Sequence, residues 1–91
     1  MPSFEWDEER SAANKAKHGI DFYHAQYAFF DAHRLFVRDS KHSVEEERWF
    51  CIGKVAGKIL TVCFTYRGDA IRIFGAAAWR KGRKLYEEKQ P

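Results

Sequence analysis

Three short apolar runs between Arg48 and Gly75 set the pattern of this chain. They are separated by Gly57 and by Gly68–Asp69 and are rich in Val, Ile, Phe, Cys and Thr. Such residues suit a pleated, half-buried surface, and glycine punctuates turns. The spacing predicts an antiparallel meander with strands over 48–54, 58–66 and 70–75. In the middle run Leu60, Val62, Phe64 and Tyr66 share one face, and Ile59, Thr61, Cys63 and Thr65 share the other, because side chains alternate along a strand. A strand apolar on one side and semi-apolar on the other belongs at the centre of its sheet.

Upstream, Phe4–Glu5–Trp6 alternates apolar, polar, apolar, as a short edge strand or a pair of core anchors would. Asp7 is placed to cap a helix over 8–18, since its carboxylate can accept backbone N–H groups that the first turn leaves free. Glu8 and Glu9 suit the positive end of that helix, and Lys15, Lys17 and His18 the negative end. Gly19 reads as the C-cap. The inner face of this helix is expected to be Ala12, Ala13 and Ala16. A second helix is predicted over 22–30, with Phe22, Ala25 and Phe29 in one stripe and Tyr23, Tyr27 and Phe30 beside it. Either it is well buried or its aromatic edge meets a partner. Residues 34–38 read as a short strand and 39–47 as a polar loop. After Gly75, Ala76 to Ala78 favour helix, but Gly82 interrupts it at a cost of about 1 kcal/mol relative to alanine. A turn or short helix containing Trp79 and a C-terminal helix over 83–89 are therefore expected. The predicted fold class is α+β: a small antiparallel sheet with two N-terminal helices and a C-terminal helix.

With 91 residues the chain is read as a single domain, 1–91, and a hydrophobic fraction of 45% argues against disorder. No apolar run approaches the roughly 20 residues of a membrane span, and the acidic first ten residues lack the apolar core of a signal peptide. Cys51 and Cys63 have no metal-ligand spacing. They suit buried thiols, or a cross-strand disulfide in an oxidising compartment. The reading is a reduced, cytoplasmic protein. No cofactor and no metal are expected, because His24, His33 and His42 match no zinc pattern.

Charge divides the chain. Residues 1–47 carry six Lys/Arg and ten Asp/Glu, whereas residues 48–91 carry ten and three. A basic half on a small domain points to a polyanion, and the bland alternative is solvated surface. The densest feature is Trp79-Arg80-Lys81-Gly82-Arg83-Lys84. Its cations could neutralise phosphates, and Trp79 could stack on an unpaired base or pack the tail onto the sheet. Arg72 sits within the third strand, with Arg67 at the preceding turn and Arg48 at the start of the first. These three either line one basic surface or pair internally with Glu5, Glu46 or Glu47. His18 is the best proton-transfer candidate, with Lys17 beside it to steady a phosphate; otherwise it caps its helix. Metal-free RNA cleavage needs a group to deprotonate the 2′-hydroxyl, cations to offset charge on the phosphorane and a donor for the 5′-oxygen. Arg67, Arg72 and Arg80 would supply the second, with His18 as base or acid. Lys17, Arg48, Trp79, Lys81, Arg83 and Lys84 would bind the RNA.

The N-terminal pattern resembles the BrnT-type ribonuclease toxins. It is carried by Phe4–Asp7, by Asn14, Lys17, His18 and Gly19, and by Phe22, Ala25, Phe29 and Asp31. Glu46–Arg48, Ile52–Gly53, Gly57, Leu60, Val62, Thr65, Arg67, Arg72–Ile73, Arg83 and Tyr86 extend it. The resemblance implies a RelE-toxin-like fold, metal-independent RNA cleavage that inhibits translation, and a BrnA-like antitoxin partner in a hetero-oligomer. DNA would be reached only through that antitoxin. One departure stands out. Many members follow the third strand with I-S-A-R and then E-R-x-x-Y, whereas here Ala77 occupies the arginine position and Gly82 the glutamate position. Arg80 could replace the missing cation, and a centre without it would be weakened or inactive. The rival readings are a non-catalytic RNA-binding module and a protein-binding domain.

Overall fold

The three apolar runs pair as a meander, and two further strands extend it. In the computed structural model, which describes residues 3–41 and 45–90, the strands are Ser3–Glu5 (β1), Leu35–Arg38 (β2), Trp49–Val55 (β3), Lys58–Arg67 (β4) and Ala70–Ala77 (β5). Their order across the sheet is β1-β5-β4-β3-β2, so the middle run is central, as its two-sided pattern demanded. β2 to β5 are antiparallel, but β1 runs parallel to β5, with Glu5 beside Arg72. The sheet is therefore mixed and not wholly antiparallel. Parallel neighbours need a long connection, and everything between Glu5 and Ala70 supplies it. Residues 42–44 of the expected loop, His42 among them, lie outside the described residues.

The helices are α1 (Glu8–His18), α2 (Phe22–Ala25), continued by a 3-10 helix over Gln26–Phe30, and α3 (Arg80–Glu88). α1 has the expected ends. The Asp7 carboxylate accepts from the Glu9 and Arg10 amides at 2.8 and 3.1 Å, and Gly19 closes the helix at φ 76°, a left-handed value costly for other residues.

Its inner face, however, is not the alanine stripe. Ala12, Ala13 and Ala16 are exposed, and the inward residues are Ser11 and Asn14, one turn apart. Ser11 Oγ accepts from the Phe22 amide at 2.9 Å. Asn14 donates from Nδ2 to the carbonyls of Ile20 and Ala76, both at 2.8 Å, and accepts from the Ala76 amide at 3.2 Å. The reason is the sheet edge. β1 ends beside Arg72, and the Asn14 carboxamide takes both backbone groups of Ala76 farther along β5. A polar stripe thus caps an edge that would otherwise expose unpaired backbone.

The second predicted helix is α-helical only to Ala25. In the 3-10 winding beyond it residues three apart eclipse, which stacks Ala25 and Ala28, both fully buried, toward β3. Phe22, Phe29, Cys51, Val62, Phe64, Ile71 and Ile73 form the core between these turns and the sheet. Burying a side chain such as Phe22 contributes about 1.5–3 kcal/mol. α3 packs on the opposite face. It starts at Arg80, earlier than predicted, and Gly82 lies buried inside it instead of breaking it. A Cβ at residue 82 would overlap the Thr61 hydroxyl of β4, so the missing side chain is what lets α3 lie down on the sheet.

Candidate functional site

One sheet face is filled by the core and the other is covered only in part by α3. The alternation along β4 puts Thr61, Cys63, Thr65 and Arg67 on this second face. Their partners on β5 are Ala77, Gly75, Arg72 and Ala70. Arg67 and Arg72 are therefore diagonal neighbours on adjacent strands. The parallel register of β1 sets Glu5 beside Arg72, and their side chains meet at 2.8 Å. Glu46 lies 3.7 Å from Arg67 and 3.9 Å from Arg48, and the Arg48 guanidinium sits 4.4 Å above the Phe74 ring. The Thr65 hydroxyl donates to the Glu47 carbonyl at 2.5 Å, which pins the strand approaching Arg48 against β4.

This is a face with three guanidinium groups and two carboxylates. Guanidinium forks match phosphate oxygens in pairs. The two ion pairs through Glu46 are long and partly exposed, and such pairs are worth about 0–1 kcal/mol, so a phosphate can displace them cheaply. The Arg72–Glu5 pair is shorter, and Arg72 is only 24% exposed, so this arginine is held more firmly.

Farther along the same face, toward α3, lies a cavity of about 400 Å³. Val37, Phe50, Ile52, Thr61, Trp79 and Leu85 line it, with Asp39, Lys41 and Lys81 as charged neighbours. Trp79 ends the strand-to-helix turn 45% exposed, its ring edge-on to Phe50 at 6.0 Å.

The other predicted residues fall elsewhere. Asn14 marks where α1 passes Ala76, four residues beyond Arg72, or roughly 13 Å at the rise of a strand. Lys17 and His18 lie a turn farther on, exposed, at the end of β5 from which α3 departs. The structure therefore joins Arg48, Arg67 and Arg72, and sets His18 apart from them. Arg80, Lys81, Arg83 and Lys84 are exposed on α3, with Arg83 in a loose pair with Glu87 at 3.4 Å. The aromatic edge of the second helix is split. Phe29 is buried, whereas Tyr23, Tyr27 and Phe30 are exposed and in ring contact with one another.

Burial pushes the Cys51 thiol up to about 12 and the Cys63 thiol up to about 11. They point to opposite faces, which leaves no cross-strand disulfide between them. Among the described residues there is no cluster of three metal-ligating side chains, and no helix is long and apolar enough to cross a membrane.

The sequence reading missed Asp31 with Tyr86. The Tyr86 hydroxyl donates to Asp31 Oδ2 at 2.5 Å, and the same oxygen accepts from the Lys54 amide at 2.7 Å. Partial burial works against the Asp31 charge, but hydrogen bonds from Tyr86, His33 and Lys54 outweigh it and hold the carboxyl below its usual range. The Asp31 bond in turn pushes the Tyr86 phenol up to about 12. This node ties α3 to β3 and to the turn before β2. No local pattern reveals a contact between residues so far apart in the chain.

Residues 6–82 match the family model described as "Ribonuclease toxin, BrnT, of type II toxin-antitoxin system". No curated protein matches the chain.

Proposed function

The chain belongs to the BrnT family of ribonuclease toxins of type II toxin–antitoxin systems, and we propose that it cleaves RNA without a metal ion on the open face of its sheet, thereby inhibiting translation. The observation that carries this reading is the convergence of Arg48, Arg67 and Arg72 on one face with Glu5 and Glu46 among them. In the proposed reaction the 2′-oxygen attacks the adjacent phosphorus and its proton passes to Glu46. The P–O5′ bond then breaks, the departing oxygen takes up a proton from water, and Glu46 returns its proton to the solvent. The products are a 2′,3′-cyclic phosphate and a 5′-hydroxyl. Arg67 and Arg72 offset the charge that builds on the phosphorane, a term often worth two to three powers of ten per donor. Arg80, Lys81, Arg83 and Lys84 hold the flanking backbone, and Arg80 supplies charge near the position where family members carry an arginine. His18, with Lys17, is the second candidate for proton transfer and requires RNA that extends the length of β5.

A BrnA-like antitoxin is the proposed partner, and the exposed rings of Tyr23, Tyr27 and Phe30 are proposed as part of its seat. Contact with DNA would come through that antitoxin, and the assembled toxin would work in the cytoplasm.

The test is cleavage of single-stranded RNA by the purified protein in EDTA. Wild type is expected to cut, and Arg67→Ala, Arg72→Ala and Glu46→Gln each to lose about 10²- to 10³-fold while remaining folded. Full cleavage by the Arg67→Ala/Arg72→Ala double variant removes the site. Intact RNA with retained, salt-sensitive binding replaces the nuclease with a binding module. A flat pH–rate profile from pH 6 to 8, unaltered in His18→Ala, returns that residue to helix capping.

A further inference from the structure

We infer that the cavity between Phe50, Trp79 and α3 is a subsite that takes one unpaired nucleobase of the bound RNA. The inference rests on the reading of the open face as an RNA track and adds to it a place where a base, and not only the backbone, is held.

Three features of the cavity support a base. Its volume, about 400 Å³, lies in the range of small-molecule pockets and admits a flat heterocycle. Its interior is aromatic and aliphatic: Phe50 and Trp79 meet edge-on at 6.0 Å, Leu85 lies across from them, and Trp79 remains 45% exposed after all its own packing. A ring that open has surface left for stacking, and every base offers a π-face. Its charged lining is two cations, Lys41 and Lys81, against one acid, Asp39, and the exposed Arg80, Arg83 and Lys84 continue the positive charge along α3. Cations around an apolar interior fit a ligand with a flat apolar part and an anionic chain, which describes a nucleotide within a strand.

Position supports the same occupant. Phe50 pairs with Cys63, the next residue on this face after Thr65, which pairs with Arg72. The cavity thus opens on the face that carries the arginines, a few nucleotides from them. The entrance is ordered from both sides. The Asp39 amide donates to the Arg48 carbonyl at 2.8 Å, continuing the pairing of β2 with β3, and α3 is fixed by Gly82 on Thr61.

The experiment compares two uncleavable probes of equal length: a 2′-O-methyl RNA pentamer bearing bases and the same chain with every base removed. Binding is measured by fluorescence anisotropy at two salt concentrations. Wild type is expected to prefer the base-bearing probe about 5- to 150-fold, the range that base–aromatic stacking gives. Trp79→Ala is expected to lose that preference while still binding the abasic chain with the same salt dependence. Trp79→Phe keeps a ring and is expected to keep most of the preference, which controls for a folding defect. Equal binding of both probes by wild type overturns the subsite. So does a preference that survives Trp79→Ala. If wild type still cuts RNA in EDTA under any of these results, the nuclease reading stands without the subsite. If neither probe binds at all, the subsite falls, and cleavage of unmodified RNA in EDTA still decides the nuclease reading by itself.

Discussion

Replacing Gly82 by alanine should destabilise this protein, although helix propensity alone predicts the reverse. Alanine is favoured over glycine inside a helix by about 1 kcal/mol. Gly82 lies within α3, so a propensity argument expects a gain. The geometry opposes it: a Cβ at this position would overlap Thr61 Oγ1. Thr61 is β-branched and sits in the central strand, so its side chain has few rotamers to retreat into. Overpacking of this kind costs about 1–3 kcal/mol, which leaves a net loss of up to roughly 2 kcal/mol. The sign should invert in a Thr61→Ala background. The nearest remaining atom, Thr61 Cβ, would then stand at 3.4 Å, an ordinary contact. The Thr61 hydroxyl is buried with no hydrogen-bond partner among the described residues, so removing it forfeits no bond. Urea unfolding of the four proteins in the cycle, followed by circular dichroism, gives the coupling, expected near 2 kcal/mol. A stabilising Gly82→Ala in the wild-type background, or the same change in both backgrounds, would refute the account of how α3 is seated.

Three further outcomes follow from the braces and turns. Tyr86 titrates at about 12, above its ordinary 10.0, so its bond to Asp31 gives stability that is complete below pH 10 and lost as pH rises toward 12. Tyr86→Phe should cost about 1.5–3 kcal/mol at neutral pH and flatten that alkaline decline in a pH series of urea melts. Asn14→Ala should cost about 2–4 kcal/mol, from three lost hydrogen bonds at about 1 kcal/mol each, and should speed amide exchange at Ala76; unchanged exchange there would remove the edge-capping role. Ala56 and Gly57 form the two-residue hairpin turn with φ of 49° and 84°, so Ala56→Asn should raise stability by roughly 0.5–1 kcal/mol, read as a shift in the urea midpoint.

The elements that local pattern could reveal were the ones set by local physics. Leu60, Val62 and Phe64 alternate with Thr61 and Cys63, and that alone placed β4 at the centre. Asp7 and Gly19 marked the ends of α1 because capping is a matter of adjacent residues. The errors arose where a distant partner decides. Ala12, Ala13 and Ala16 have the composition of an inner face, yet the inner face is Ser11 and Asn14, because α1 lies against an open strand edge and not against a hydrophobic surface. Gly82 has the propensity of a helix breaker, but the close approach of Thr61 favours it within one. At the site, Arg48, Arg67 and Arg72 could be grouped by strand alternation, and Glu5 and Glu46 were already named as partners. Trp79 could be flagged, but Phe50 and the cavity they share depend on where α3 lands. Several residues that carry the resemblance are scaffolding in this chain: Asn14 caps the edge, Phe22 and Phe29 fill the core, and Asp31 and Tyr86 hold α3.

Ala77 and Gly82 meet over one residue: Ala77 pairs with Thr61, and Gly82 packs on the Thr61 hydroxyl. Two small residues, Ala77 and Gly82, thus meet at Thr61 where α3 closes on β4. Restoring the arginine alone should not restore a family-like centre. Ala77 is 3% exposed beneath the helix, so Ala77→Arg forces a guanidinium into a packed contact. An uncompensated buried charge costs about 3–5 kcal/mol, unless α3 lifts from the sheet. If it lifts, Gly82 no longer touches Thr61, the Tyr86–Asp31 bond breaks and the cavity at Trp79 opens out. Ala77→Arg should then melt earlier and lose any preference for a base-bearing probe. Paired with Gly82→Glu, which returns an acid to the facing position, it should recover part of the lost stability. If Ala77→Arg by itself left the melt unchanged and accelerated RNA cleavage, the two positions would be independent, and the catalytic centre would lie at the α3 end of the face instead of at Arg67 and Arg72.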